Sequence, residues 1–288
     1  MGPVNGRTRV AMPLAAALAL ATPSCAGGDD HLPSPQVDGG VEVIRAVEYA
    51  SPDGTPLRMD VYLPEGDGPF PGVETIHGGG FVGGGRSDMR GVSVFLASSG
   101  YVAFAIDYRL APASTYPEQI DDAMAAIDFV RANAGELSVD PDRIGVLGAS
   151  AGGTIAARLA GTPGSGVGAV LSWSGALDLP SLVASGPAVA DLRLEQYLGL
   201  VDLTAPGAEV RVREASPVTH VDTAYPPTFV ANARDELMPF DQALAMVDVL
   251  QAQGVPHVLY VPQDGHALDY AREASPPSVR FLDTYLAD

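Results

Sequence analysis

The sequence predicts an α/β fold built on a mainly parallel, eight-stranded sheet flanked by helices. Three observations carry this. Short, almost wholly apolar runs recur through the chain, as strands covered on both faces do. Segments with helical periodicity separate them, which is the pattern of βαβ units. Only the first two strand-like segments alternate apolar and polar residues, so an antiparallel edge precedes the parallel part.

Taken in order, residues 41–49 alternate, and so do residues 57–63 (LRMDVYL) after the turn Pro52-Asp53-Gly54. These read as a hairpin with one solvated face. The buried strands are 72–76, 101–106, 143–147, 169–173, 228–231 and 257–261. Helical patterns fall at 89–98, 117–134, 151–159, 240–253 and 278–286. No internal repeat and no interior linker interrupts the series, so residues 41–288 are expected to be one catalytic domain. The exception is 179–217, which is longer than a simple connection. It holds Leu182, Val183, Leu192, Leu194, Tyr197 and Leu198, and reads as a short lid.

Composition sets the outer bounds. With 47% apolar and 18% charged residues the chain is of ordinary globular type, and its glycines and prolines lack the three-residue period of collagen. The net charge is −19 and every basic residue is an arginine; lysine is absent. A chain this acidic, with no basic block, is not a nucleic-acid binder, because phosphate contacts need clustered positive charge. A single cysteine, Cys25, excludes an intrachain disulfide and a cysteine-based zinc site.

The first residues read as an address. Arg7 and Arg9 precede an apolar run over 10–21, with Cys25 just beyond. This is the layout of an export signal over 1–24, and the run is too short for a bilayer core, which needs about twenty residues. The cysteine's position resembles a bacterial lipoprotein signal, with Cys25 lipidated and anchoring the chain to a membrane. Thr22-Pro23-Ser24 lacks the usual aliphatic residue, so plain secretory cleavage nearby stays open. Either of these places the protein in the cell envelope, the periplasm or outside the cell; the remaining alternative is a fortuitous apolar run at a cytosolic N-terminus. Residues 25–40, rich in Gly, Asp and Pro, read as a flexible tether.

Gly148-Ala149-Ser150-Ala151-Gly152-Gly153 carries the strongest chemical signal. It fits GxSxG and lies between the strand ending at Leu147 and the helix opening at Ala151. A serine on such a tight strand-to-helix turn projects its hydroxyl clear of the sheet, and small neighbours let adjacent backbone approach. Ser150 is therefore the candidate nucleophile; the alternative is a structural turn in which it only caps the helix. His77-Gly78-Gly79-Gly80-Phe81 follows the strand ending at Ile76. Bare glycine backbone there supplies fixed N–H donors for a tetrahedral oxyanion. Gly79 and Gly80 are the candidate donors from this loop, and Ala151 is the third. His77 is assigned to bracing the loop.

A serine hydroxyl needs a neutral imidazole to take its proton. Of five histidines, His31 lies in the tether, and His220 and His257 lie in a connection and at a strand start. His266, in Gln263-Asp264-Gly265-His266, follows the last strand, at the carboxyl end where ligand crevices form in open α/β sheets. The carboxylate that fixes the imidazole tautomer is assigned to Asp235, in Ala233-Arg234-Asp235-Glu236-Leu237. Glu236 is its rival, while Asp241 suits the first turn of a helix and Asp264 suits a turn.

HGGGF, DYRLAP at 107–112, GASAGG, DEL and GH, in this order, resemble the α/β-hydrolase esterases with an HGGG oxyanion loop. This group includes hormone-sensitive-lipase-like and acetyl- or feruloyl-esterase-like enzymes, and the resemblance covers 41–288. Ser-Pro-Val-Thr at 216–219 and Pro226-Pro227 look closer to the small acetyl-esterase branch. A sizeable N-terminal cap is not expected ahead of the first strand, which leaves an open site lidded by 179–217. One departure is that Ala231-Asn232 stands where members often carry His-Gly.

The resemblance implies a serine carboxylesterase for short-chain esters, working through an acyl-enzyme with no metal or organic cofactor. Asp107 and Arg109 are implied to form structural ion pairs near the oxyanion loop. Its substrate is a small-molecule ester or one linked to a polymer, such as an acetylated or feruloylated polysaccharide. A peptidase of the same fold and a catalytically inactive binding module are the rival readings.

Overall fold

The computed structural model describes residues 32–185 and 191–286. The expected export signal, His31 and Cys25 with its expected lipid lie outside the described residues. The elements run β1 (Gln36–Asp38), β2 (Val41–Ala50), β3 (Leu57–Leu63), β4 (Phe70–Ile76), α1 (Arg90–Ala97), β5 (Val102–Ile106), α2 (Glu118–Ala132), β6 (Val139–Ala149), α3 (Ala151–Ala160) and β7 (Ala169–Trp173). Then follow α4 (Leu179–Ala184), α5 (Asp191–Leu198), α6 (Ala208–Ala215), β8 (Thr228–Ala231), α7 (Phe240–Gln253), β9 (His257–Tyr260) and α8 (Ala271–Leu286).

The strands form one sheet in the order β1-β2-β3-β5-β4-β6-β7-β8-β9. The pairs β1/β2, β2/β3 and β3/β5 are antiparallel, and the rest, from β5 across to β9, are parallel. This is the α/β-hydrolase arrangement, with nine strands among the described residues where eight were expected. The extra strand is β1, at the end of the segment expected to be a free tether. Gly39 and Gly40, both at positive φ, close a two-residue turn onto β2. Asp38 is then held by Arg45 and Arg90.

Alternation along the inner strands sorts their side chains into two cores on opposite faces of the sheet. Phe104, Ile106, Val146, Val170 and Val230 face α2, α3 and α7. Ala103, Ala105, Leu147, Leu171, Trp173 and Phe229 face α1 and α8. Both faces are dry, which is why these strands read as unbroken apolar runs. Helix α8 begins seven residues before the expected start at 278. Pro276 and Pro277 deny amide donors to the carbonyls of Arg272 and Glu273. Both of those residues are exposed, where water can satisfy the freed carbonyls, and the helix runs through.

The chain order reverses around β4. It leaves toward β5, then crosses back to β6 on the other side. Ligand crevices open at the carboxyl ends of strands at such a switch point. Ile76, at the end of β4, is in register with Gly148, near the end of β6. The glycine loop and the serine turn therefore emerge side by side.

Candidate active site

Ser150 sits between β6 and α3 at φ 55°, ψ −120°, a backbone state that costs a non-glycine residue of order 1–3 kcal/mol. Its surroundings enforce that state. The Ser150 N–H donates to the Trp173 carbonyl at 2.7 Å. A Cβ on Gly148 would stand 1.9 Å from the Gly152 carbonyl oxygen, and one on Gly152 would stand 2.1 Å from the Ile76 carbonyl oxygen. Glycine at 148 and 152 is thus what lets β6, α3 and the end of β4 meet beneath the serine.

The HGGGF loop lies against this turn. A Cβ on Gly78 would be 3.0 Å from the Ser150 Cβ. Gly79 has φ +109°, and a Cβ there would fall 2.1 Å from the Gly83 carbonyl oxygen; Gly80 has φ +61°. No residue but glycine fits at 79. Among the described residues, none accepts a hydrogen bond from the N–H of Gly79, Gly80 or Ala151. These donors stand idle next to the serine, and Ala151 adds the start of a helix.

His77 is almost wholly buried and stacks on Tyr108 with ring centroids 4.2 Å apart. Burial lowers its pKa, so the ring is neutral and its Nδ1–H donates to the Gly78 carbonyl. It braces the loop, as does the Tyr108 hydroxyl, which donates to the His77 carbonyl at 3.1 Å. Asp107 and Arg109 do not pair with each other. Asp107 holds the Arg86 guanidinium and accepts from its main-chain N–H at 2.9 Å. Arg109 is bonded to the buried Asp122, with Nη2 at 2.8 Å and Nε at 3.0 Å. The Ala111 N–H donates to the Phe81 carbonyl, tying this segment to the glycine loop.

His266 follows β9, and its Nε2 lies 2.8 Å from the Ser150 Oγ. Its Nδ1 is hydrogen-bonded to the Glu236 Oε2. The assignment of Asp235 is therefore corrected: Asp235 is exposed, whereas only 1% of the Glu236 side chain is. The reason is the course of the loop after β8. The buried Asn232 side chain donates to the carbonyls of Ala233 and Met238, which closes the loop so that residue 236 turns inward. The other oxygen of Glu236 accepts from the Ala233 N–H at 2.9 Å and the Ser174 Oγ at 2.8 Å. Ser174 itself accepts from the Ala267 N–H and faces the Tyr270 hydroxyl at 2.6 Å. The sequence reading missed Ser174 and Tyr270. Their only signal is position, one at the carboxyl end of β7 and the other just after His266.

The remaining histidines are engaged elsewhere: His220 with the Glu214 carbonyl and His257 with the Val255 carbonyl. Asp241 lies in the first turn of α7. Asp264 lies on the exposed turn before His266.

A cavity of about 150 Å³ opens beside Ser150. Gly80, Phe81 and Ala151 form one side, and Leu237, Met238 and Pro239 another. The segment 179–217 contributes Leu182 from α4, and Arg193 and Leu194 from α5. Helix α5 is anchored to the glycine loop itself, because Tyr197 stacks on Phe81 with centroids 3.8 Å apart. Among the described residues no group of acidic, histidine or cysteine side chains could hold a metal ion.

The BD-FAE family profile matches residues 59–250. The probable carboxylic ester hydrolase LipM of Mycobacterium tuberculosis is 33% identical over 70% of this chain and 50% of its own length. The carboxylesterase NlhH of the same organism is 32% identical over 73% of this chain and 70% of its own. The chain thus spans about half the length of LipM, and likewise 54% of the esterase LipC. Among solved structures, the esterase LipW of Mycobacterium marinum superposes with a TM-score of 0.69 at 26% identity, covering 86% of this chain and 82% of its own. An acetyl ester-xyloside bifunctional hydrolase of Caldicellulosiruptor lactoaceticus gives 0.68 at 25%, covering 80% and 88%.

Proposed function

Because the chain belongs to the BD-FAE family of α/β-hydrolases, we propose that it is a serine carboxylesterase acting on short-chain esters through an acyl-enzyme. The observation that carries this is the unbroken chain Ser150 Oγ, His266 Nε2, His266 Nδ1, Glu236 Oε2, set beside unengaged backbone donors. His266 takes the Ser150 proton as the oxygen attacks the ester carbonyl, and Glu236 stabilises the resulting imidazolium. The N–H groups of Gly79, Gly80 and Ala151 receive the oxyanion without reorganising. His266 then protonates the leaving alcohol, and water repeats the cycle to free the acid. All the named groups belong to the chain.

Short acyl groups are favoured by the size of the cavity, about 150 Å³. An apolar hole of that volume holds a molecule about the size of benzene. The proposal extends to place: the charged and apolar pattern of residues 1–24 supports export, and Cys25 supports lipid anchoring.

The test is hydrolysis of p-nitrophenyl esters from acetate to palmitate by wild type and Ser150→Ala side by side. Activity on the two- to four-carbon esters that disappears in the variant supports the proposal. A folded wild-type protein silent on every ester refutes it.

A further inference from the structure

The cavity beside Ser150 has one charged lining residue, Arg193; the rest of its lining is apolar or small and neutral. Arg193 is pressed against the glycine loop. A Cβ on Gly80 would meet its Cδ at 2.3 Å and its Nη1 at 2.6 Å. The exposed guanidinium therefore lies beside the backbone of Gly80, one of the proposed oxyanion donors.

The arginines around the site have occupations. Arg86 and Arg109 are held by carboxylates, Arg158 and Arg211 by main-chain carbonyls, and Arg234 by the face of Phe240. Arg193 has none: among the described residues no carboxylate lies within ion-pair distance and no group accepts its hydrogen bonds. This occurs in a chain of net charge −19, whose surface at large repels anions. An idle guanidinium at the mouth of an otherwise apolar cavity offers a two-pronged, charge-assisted site for a carboxylate.

Resting on the esterase reading above, we propose that Arg193 is a specificity-determining residue that makes the site select esters bearing a carboxylate a few bonds from the scissile carbonyl. The apolar walls take the carbon skeleton, and the guanidinium takes the anion. The carboxylate can belong to the acid part, as in a monoester of a dicarboxylic acid. It can equally belong to the alcohol part, as in an acylated hydroxy acid.

The test compares matched pairs of substrates with wild type, Arg193→Gln and Arg193→Lys. Monoethyl succinate against ethyl butyrate probes a charge on the acid part; 3-acetoxybenzoate against its methyl ester probes one on the alcohol part. The proposal expects wild type to prefer the charged member of one pair, and the pair identifies the side. Arg193→Gln should lower the charged-to-neutral ratio of kcat/KM by roughly tenfold, the scale of a hydrogen bond to a charged group. Arg193→Lys should retain more of it, and 0.5 M salt should compress the wild-type ratio. Equal or lower rates on the charged member in both pairs overturn the proposal. So does a loss shared equally by both members, which would make Arg193 an oxyanion stabiliser instead.

A folded wild type that hydrolyses neither charged nor neutral esters refutes the esterase reading instead. Calorimetry of monoethyl succinate with Ser150→Ala then decides on binding alone. Binding weakened about tenfold by Arg193→Gln in that background supports the carboxylate site; undetectable or unchanged binding overturns it.

Discussion

Replacing Glu236 by glutamine separates the site's geometry from its sequence motif. Glu236 Oε1 faces two donors, the Ala233 N–H and the Ser174 hydroxyl. The Ala233 N–H can only donate, so the atom at the Oε1 position must be an acceptor. In the variant, the amide oxygen must take the Oε1 position and the NH₂ must point at His266 Nδ1. Nδ1 then becomes an acceptor, which moves the ring proton to Nε2, facing the Ser150 hydroxyl. A protonated Nε2 cannot accept the serine proton. The same wrong-tautomer change in a serine protease triad lowers kcat by about 10⁴, or roughly 5 kcal/mol of transition-state stabilisation. We expect kcat for p-nitrophenyl acetate to fall by about 10³–10⁴ in Glu236→Gln, with little change in Tm. Asp235→Asn, at an exposed position, should stay within about twofold of wild type. Steady-state kinetics on both variants decide the matter. Inactivation by Asp235→Asn with an active Glu236→Gln would refute the reasoning.

Three further outcomes follow from the same structure. Glu74, on β4 between Phe104 and Val146, is fully buried with no partner for either oxygen among the described residues, and burial raises its pKa well above the usual carboxylate range. Its contribution to stability is present in acid and is lost as pH rises, because the unfolded chain releases the proton first. Urea titrations should therefore show Glu74→Gln gaining on wild type by up to about 1.4 kcal/mol per pH unit above the ordinary carboxylate pKa; a pH-independent difference would contradict this. Arg109→Met leaves the buried Asp122 without its cation, holding only the main-chain N–H of residue 109, and should cost about 3–5 kcal/mol by chemical denaturation; a cost under 1 kcal/mol would count against it. Gly79→Ala forces a Cβ to 2.1 Å from the Gly83 oxygen, displacing the loop, so kcat should fall by about 10²–10³; undiminished activity would remove Gly79 from the oxyanion site.

Much of this was legible in the sequence because the signals were local. Buried strands announce themselves as apolar runs, and glycines at 78–80, 148 and 152 occupy positions where a Cβ has no room. The nucleophile and base sit at strand ends, so order and spacing located them. What failed depended on loop geometry. Asp235 and Glu236 are neighbours of the same charge, and the turn closed by Asn232 determines which one faces inward. The edge strand β1 depended on Asp38 meeting Arg45 and Arg90, a contact 52 residues away in the second case. Glu74 passed as part of an apolar strand because sequence does not say whether a lone acid finds a partner. Arg193 escaped notice for the opposite reason, since its significance lies in having none among the described residues.

The central claim is that Ser150 becomes acylated. The most direct measurement is rapid acid quench of the enzyme mixed with p-nitrophenyl acetate, followed by proteolysis and mass spectrometry. We expect an acetyl increment of about 42 Da on the peptide carrying Ser150, at a residue activated by its hydrogen bond to a general base. The increment should be absent in Ser150→Ala and should fail to build up in Glu236→Gln. Full turnover by Ser150→Ala, or the increment on another residue in an active enzyme, would contradict the account.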